Sequence, residues 1–147
     1  MRRIHRDMTA NNKVLIGLVI AAFVSRIAPH YPNFTAMGAL AFVGASQSRS
    51  LFKTIALSFA VLMASDLLIN NLIYPSGSFV LMYKGSIWTY AGFIVYAVAG
   101  HYAKSGAKGI VALITGSVGF FLLSNLGVFL SEFSLFPRTT SGLVATY

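Results

Sequence analysis

The chain has 147 residues, one domain's worth, of which 56% are hydrophobic and only 10% charged. Eleven Lys and Arg oppose three acids (Asp7, Asp66 and Glu132), giving a net charge of +8, and there is no cysteine. With a mean hydropathy of +0.75 and long apolar runs between the charges, this excludes disorder, a secreted disulfide scaffold, an ordinary cytosolic enzyme and a nucleic-acid binder, and predicts an integral membrane protein.

Residues 1–13 form a basic tail, expected in the cytoplasm. The apolar run that follows has the outline of a signal peptide, but it starts from a retained Met1 and is read as the first helix, residues 14–28. The Pro29-His30-Tyr31-Pro32 turn closes it. Residues 33–46 form a second, short segment, read as a trimmed span or a re-entrant one. Residues 51–74 form the third and longest, stopped by Pro75-Ser76-Gly77-Ser78. The fourth and fifth cover residues 86–103 and 109–131. A crossing takes about 20 residues, so residues 138–147 are too short and are expected to begin a sixth helix that continues past Tyr147. The fold expected is an all-α, six-helix transmembrane bundle in one domain.

Orientation follows from the bases. With the N-terminus inside, Arg2, Arg3, Arg6, Lys13, Arg49, Lys53, Lys104 and Lys108 are cytoplasmic, and only Arg26, Lys84 and Arg138 are outside. Eight against three satisfies the positive-inside rule, so the net charge is a topology signal.

Under that topology the polar side chains gather in the outer half. Asp66 lies eight residues before Tyr74, about 12 Å below the outer end of the third helix at ~1.5 Å per residue. Asn70 shares its face at i+4, and Asn71 is one position round. Ser124 and Asn125 lie at a comparable depth on the fifth helix. Arg26 ends the first helix, Asn33 and Thr35 open the second, and Trp88 and Tyr90 open the fourth. A carboxylate at that depth costs about 2.5–3.5 kcal/mol on insertion scales, so Asp66 needs an interior partner, and Arg26 is the expected one. Two readings stay open and are compatible. One is a structural Asp66–Arg26 pair closing the bundle. The other is an outward-open polar cavity lined by Arg26, Asn33, Asp66, Asn70, Trp88, Tyr90 and Asn125, suited to capturing a small molecule. Trp88 and Tyr90 also fit an interfacial aromatic belt. The 74–85 loop contains Phe79, Val80, Leu81, Met82 and Tyr83, too apolar for a solvated connection, and is expected to cover the bundle mouth as a lid.

Gly17, Ala21 and Ser25 recur every fourth residue on the first helix, a stripe that permits close helix approach and suits docking of a partner or a second copy. Gly38, Ala41 and Ala45 on the second helix, and Gly116, Gly119 and Gly127 on the fifth, are expected to pack the bundle. His5, His30 and His101 are too dispersed to share a metal, and one intramembrane acid without cysteine gives acid–base or thiol chemistry little to work with. No catalytic residue, metal or cofactor is expected, and the chain is not expected to be an enzyme.

Residues 26–45, RIAPHYPNFTAMGALAFVGA, resemble a family of small uncharacterised bacterial membrane proteins that look related to the substrate-binding S components of energy-coupling-factor vitamin transporters. Ser65-Asp66, Trp88-Thr89-Tyr90, and Ser124 to Phe129 followed by Phe136-Pro137 carry the same likeness. Members usually carry proline where Ala36 stands here. The resemblance implies six helices in a bacterial inner membrane, capture of a vitamin or metal from outside, and docking through the Gly17–Ala21–Ser25 stripe onto a membrane scaffold subunit. Two functions are therefore expected: a substrate-capture subunit of an uptake transporter or, alternatively, a non-transporting structural or assembly subunit of a larger membrane complex. The partners expected are the lipid bilayer and that scaffold or complex, with no nucleic acid.

Overall fold

No proline and a single glycine interrupt residues 2–27, and a helix, α1, runs unbroken over Arg2–Ile27. The basic segment expected as a separate tail is thus the first turns of the helix: its residues are adequate helix formers, and nothing stops the hydrogen-bond ladder. The computed structural model describes residues 2–28, 35–48, 50–103, 106–131 and 134–147, with side chains from residue 12 onward.

The second helix, α2, covers Met37–Gln47, starting later than expected. Its entry is held from α1: the Ser25 hydroxyl accepts the Ala36 N–H at 2.9 Å and donates to the Ala22 carbonyl at 3.0 Å. The alanine at 36 supplies that N–H, which a proline there would lack. Helix α3, Leu51–Leu68, begins at Ser50, whose side chain accepts the Lys53 N–H at 3.3 Å. It runs on into a π-helical turn, Ile69–Ile73, closed by the Tyr74 N–H on the Ile69 carbonyl at 2.8 Å. Pro75, with no N–H to give, ends the element.

Helix α4, Ser86–Tyr102, is entered through Gly85 at φ +88°, a left-handed conformation that glycine adopts without strain. Helix α5 covers Ala107–Leu130. The last helix, α6, spans Thr140–Thr146 and is capped by Thr139, which accepts the Gly142 N–H at 3.2 Å. Among the described residues there are six α-helices and no strand. Two continuous helices, Leu51–Ile73 and Ala107–Leu130, are long and apolar enough to cross a membrane.

Helices α2 and α4 form the centre. Helix α1 packs on α2 and α3, α3 also reaches α4, and α5 lies on the flank of α4 with α6 against it. Met37, Leu40, Ala41, Ala45, Leu62 and Ala97 are at the middle of the core, each at most 2% exposed. Small residues set the spacing. Gly100 rests on the backbone of Phe42, where a side chain would collide with the Phe42 carbonyl. Gly116, Gly119 and Gly127 lay α5 on Tyr96, Val95 and Trp88 of α4, the packing role expected for that stripe. The outward positions are apolar: Ile16, Ile20, Phe52, Ile87, Ile110 and Val111 are all exposed.

Candidate functional site

Asp66 is 2% exposed, on the face of α3 that meets α1 and α4. A carboxylate there requires charge compensation and two satisfied oxygens. Both are provided. Arg26, near the end of α1, forms a salt bridge through its terminal guanidinium nitrogen to Oδ1. The Tyr90 hydroxyl, from the second turn of α4, donates to Oδ2 at 2.6 Å. The Arg26 Nε donates to the Ser65 hydroxyl at 2.6 Å, and that hydroxyl turns back to the Val61 and Leu62 carbonyls. One acid, one base and two hydroxyls thus tie three helices at a single level.

The Tyr90 ring has an apolar wall: Phe59 meets it edge to face, centroids 5.0 Å apart. Tyr90 is 4% exposed, so it is not a belt residue at the interface. Its position also bounds a small cavity, about 10 Å³, shared with Ile55, Ser58, Phe59, Phe93 and Ile94.

One turn above Asp66, in the π-helical turn, Asn70 is half-buried and its side-chain N–H₂ is buried with no hydrogen-bond partner. Asn71 is fully used: its amide donates to the Leu67 carbonyl at 3.0 Å and the Val80 carbonyl at 2.8 Å, and its oxygen accepts the Val80 N–H at 2.8 Å. This pins the 74–85 loop back onto the helix it leaves. The Tyr83 hydroxyl adds a bond to the Thr89 hydroxyl at 3.1 Å, and burial pushes the Tyr83 phenol above its ordinary value. The side chains expected to cover the mouth are turned outward instead: Phe79 is 75% exposed, and Leu81 and Met82 are exposed too. The loop docks through its backbone at Val80, because the Asn71 amide satisfies that backbone while the apolar side chains are left to the surroundings.

Of the residues expected to line a cavity, the structure therefore brings Arg26, Asp66 and Tyr90 together, with Asn70 one turn above. Trp88 is half-buried against Gly127, where it seats α5 on α4. Asn125 does not join: its amide donates to the Phe121 carbonyl of its own helix at 2.8 Å. The reason is positional, since α5 packs on the flank of α4 rather than among the helices bearing the node. Asn33 lies outside the described residues. The first-helix stripe divides. Gly17 and Ala21 are exposed, with nothing within 4 Å of where a Gly17 side chain would stand, whereas Ser25 turns inward to cap α2 and is no part of a docking seam. No group of three or more His, Cys, Asp or Glu able to hold a metal exists among the described residues.

Sequence reasoning missed Ser65 as a member of the node, and it missed the polar line below it. Ser50, Thr54, Ser58, Asp66 and Asn70 fall every fourth residue from the cap of α3 to the π-helical turn, with Leu62 in the one remaining place. Thr54 and Ser58 are each 3% exposed, and the Ser58 hydroxyl has no hydrogen-bond partner. That spacing was the available signal, hidden because serine and threonine pass as small residues in an apolar helix.

Residues 6–147 match the model of a family of unknown function (DUF6580). The chain belongs to this family. No curated protein and no solved structure matches it.

Proposed function

We propose that this DUF6580 chain is a multi-pass subunit of the bacterial cytoplasmic membrane that captures a vitamin- or metal-type small molecule from the outer side, as part of an uptake transporter. Its apolar outer surface and the eight-to-three partition of its bases support a multi-pass arrangement with the N-terminus inside. The Arg26–Asp66–Tyr90 node is then the floor of the capture site and Asn70 its lowest free donor.

The observation that carries this reading is Asn70. A buried amide N–H₂ without a partner costs about 1–3 kcal/mol, and it stands in a π-helical turn one turn above a saturated ion pair. A ligand acceptor arriving from the outer side recovers that cost. The resemblance of residues 26–45 and of Ser65-Asp66 to a family of small bacterial membrane proteins that look related to energy-coupling-factor S components fits the same role, and would make a membrane scaffold subunit the partner.

The test is thermal unfolding of the detergent-solubilised chain against a panel of water-soluble vitamins and divalent metal ions. One of them raises the midpoint for the native chain, and Asn70→Ala removes the shift without lowering the midpoint measured in the absence of ligand.

A second reading has its own observation. Gly17 and Ala21 are exposed on α1 with open space before them, and the node is complete as it stands, as suits a non-transporting assembly subunit of a larger membrane complex. Under that reading no small molecule shifts the midpoint, and Ala21→Leu releases the chain from proteins that co-purify with it.

A further inference from the structure

At the end opposite the node, a recess of about 490 Å³ opens between the C-terminal turns of α2 and the first turns of α5. Its walls are Phe42 and Ser46 of α2, Ala103 after α4, and Gly109, Ile110 and Leu113 of α5. Both Ile110 and Leu113 are exposed, at 62% and 46%. The opening exists because of what is missing from side chains: Gly106, at φ +69°, and Gly109 contribute only backbone, and Ala103 a single methyl. From Gly106 to Leu113 the groove is about 10 Å long at ~1.5 Å per residue, directed along the helix axis.

The charge around this end is mostly positive. Lys108 stands between the lining residues Gly106 and Gly109 and is exposed, as are Lys13 and Lys53. By sequence the inner side holds eight bases against Asp7 as its single acid. An apolar slot running into the bilayer, with lysine at its mouth, is complementary to one class of molecule. We propose that the recess is a binding site for an anionic phospholipid of the inner leaflet. One acyl chain lies against Phe42, Ile110 and Leu113, and the phosphodiester pairs with Lys108. The site rests on the membrane reading above but not on substrate capture, since it lies at the other end of the bundle. A lipid there couples the start of α5 to α2, alongside the close Gly100–Phe42 crossing.

The experiment is native mass spectrometry of the full chain in detergent, titrated with phosphatidylglycerol or with phosphatidylcholine of the same acyl chains. A single phosphatidylglycerol is retained in preference to phosphatidylcholine, and excess inorganic phosphate does not displace it. Lys108→Ala lowers retention about fivefold, one surface charge's worth of lipid attraction. Gly109→Leu, which fills the slot, lowers retention of both lipids. Equal retention of the two lipids overturns the proposal, as does retention unchanged in both variants. Displacement by inorganic phosphate also overturns it, by making the site a phosphate site. Lys108 is exposed, so its variant decides the matter even where Gly109→Leu does not fold. Extraction of the chain from membranes by carbonate alone is the separate result that removes the membrane reading itself.

Discussion

The Tyr90 hydroxyl donates to Asp66 Oδ2 at 2.6 Å while Arg26 takes Oδ1, so neither carboxylate oxygen is free. A three-helix tie of this kind fixes α1, α3 and α4 at one level.

Breaking the pair from one side leaves a buried charge. Asp66→Ala is expected to destabilise the detergent-solubilised chain by about 3–5 kcal/mol, because Arg26, 13% exposed, then has no counter-ion. Arg26→Met with Asp66→Leu costs less than the sum of the single changes. A double-mutant cycle on unfolding midpoints measures this, and strict additivity contradicts the pairing.

Tyr90→Phe keeps the ring on Phe59 and removes one hydrogen bond to an ionised group, worth about 1.5–3 kcal/mol. The midpoint falls, but by less than for Asp66→Ala. An unchanged midpoint means that Tyr90 acts through packing instead.

Asn71→Leu strips the Val80 N–H and carbonyl of their partners. Amide exchange at Val80 is expected to rise by an order of magnitude or more, and protease cleavage within the 74–85 loop to accelerate, with the helices unaffected. Unchanged exchange at Val80 contradicts the clamp.

Above pH ~10 the same loop has a second release. The Tyr83 phenol is raised in the fold, so its contribution is intact below the ordinary tyrosine value and is lost as pH rises through the folded one. Cleavage of the loop should accelerate in alkali for the native chain, and less so for Tyr83→Phe.

The glycines separate into two kinds. Gly100→Ala forces α2 away from α4 at Phe42 and is expected to cost at least the 1–3 kcal/mol that is roughly typical of overpacking. Gly17→Ala meets nothing within 4 Å and should stabilise the chain by up to about 1 kcal/mol through helix propensity. Comparing the two midpoints tests the packing directly.

Much of the node was legible beforehand. An acid inside an apolar helix demands a base, Arg26 was the nearest at that depth, and the pair forms. Tyr90 was read as a site residue, but a carboxylate with two oxygens takes two partners, and nothing in the spacing said that Tyr90 would be the second. The positions that misled are those decided by helix rotation and neighbour choice. Asn125 has the right depth on a helix that packs elsewhere, and Ser25 continues a small-residue stripe yet turns inward to cap α2. Where the apolar runs were long, the helices matched closely. Where proline and polar residues cluster, at the entry to α2, the boundary moved.

The central claim is that Asn70 and the node beneath it form the lower part of a capture site for a small molecule. Its most direct test is native mass spectrometry of the particle extracted in mild detergent from its own membrane. The account predicts a small-molecule adduct on the native chain that is absent from Asn70→Ala. A chain that emerges without any such adduct, and unchanged by Asn70→Ala, contradicts it.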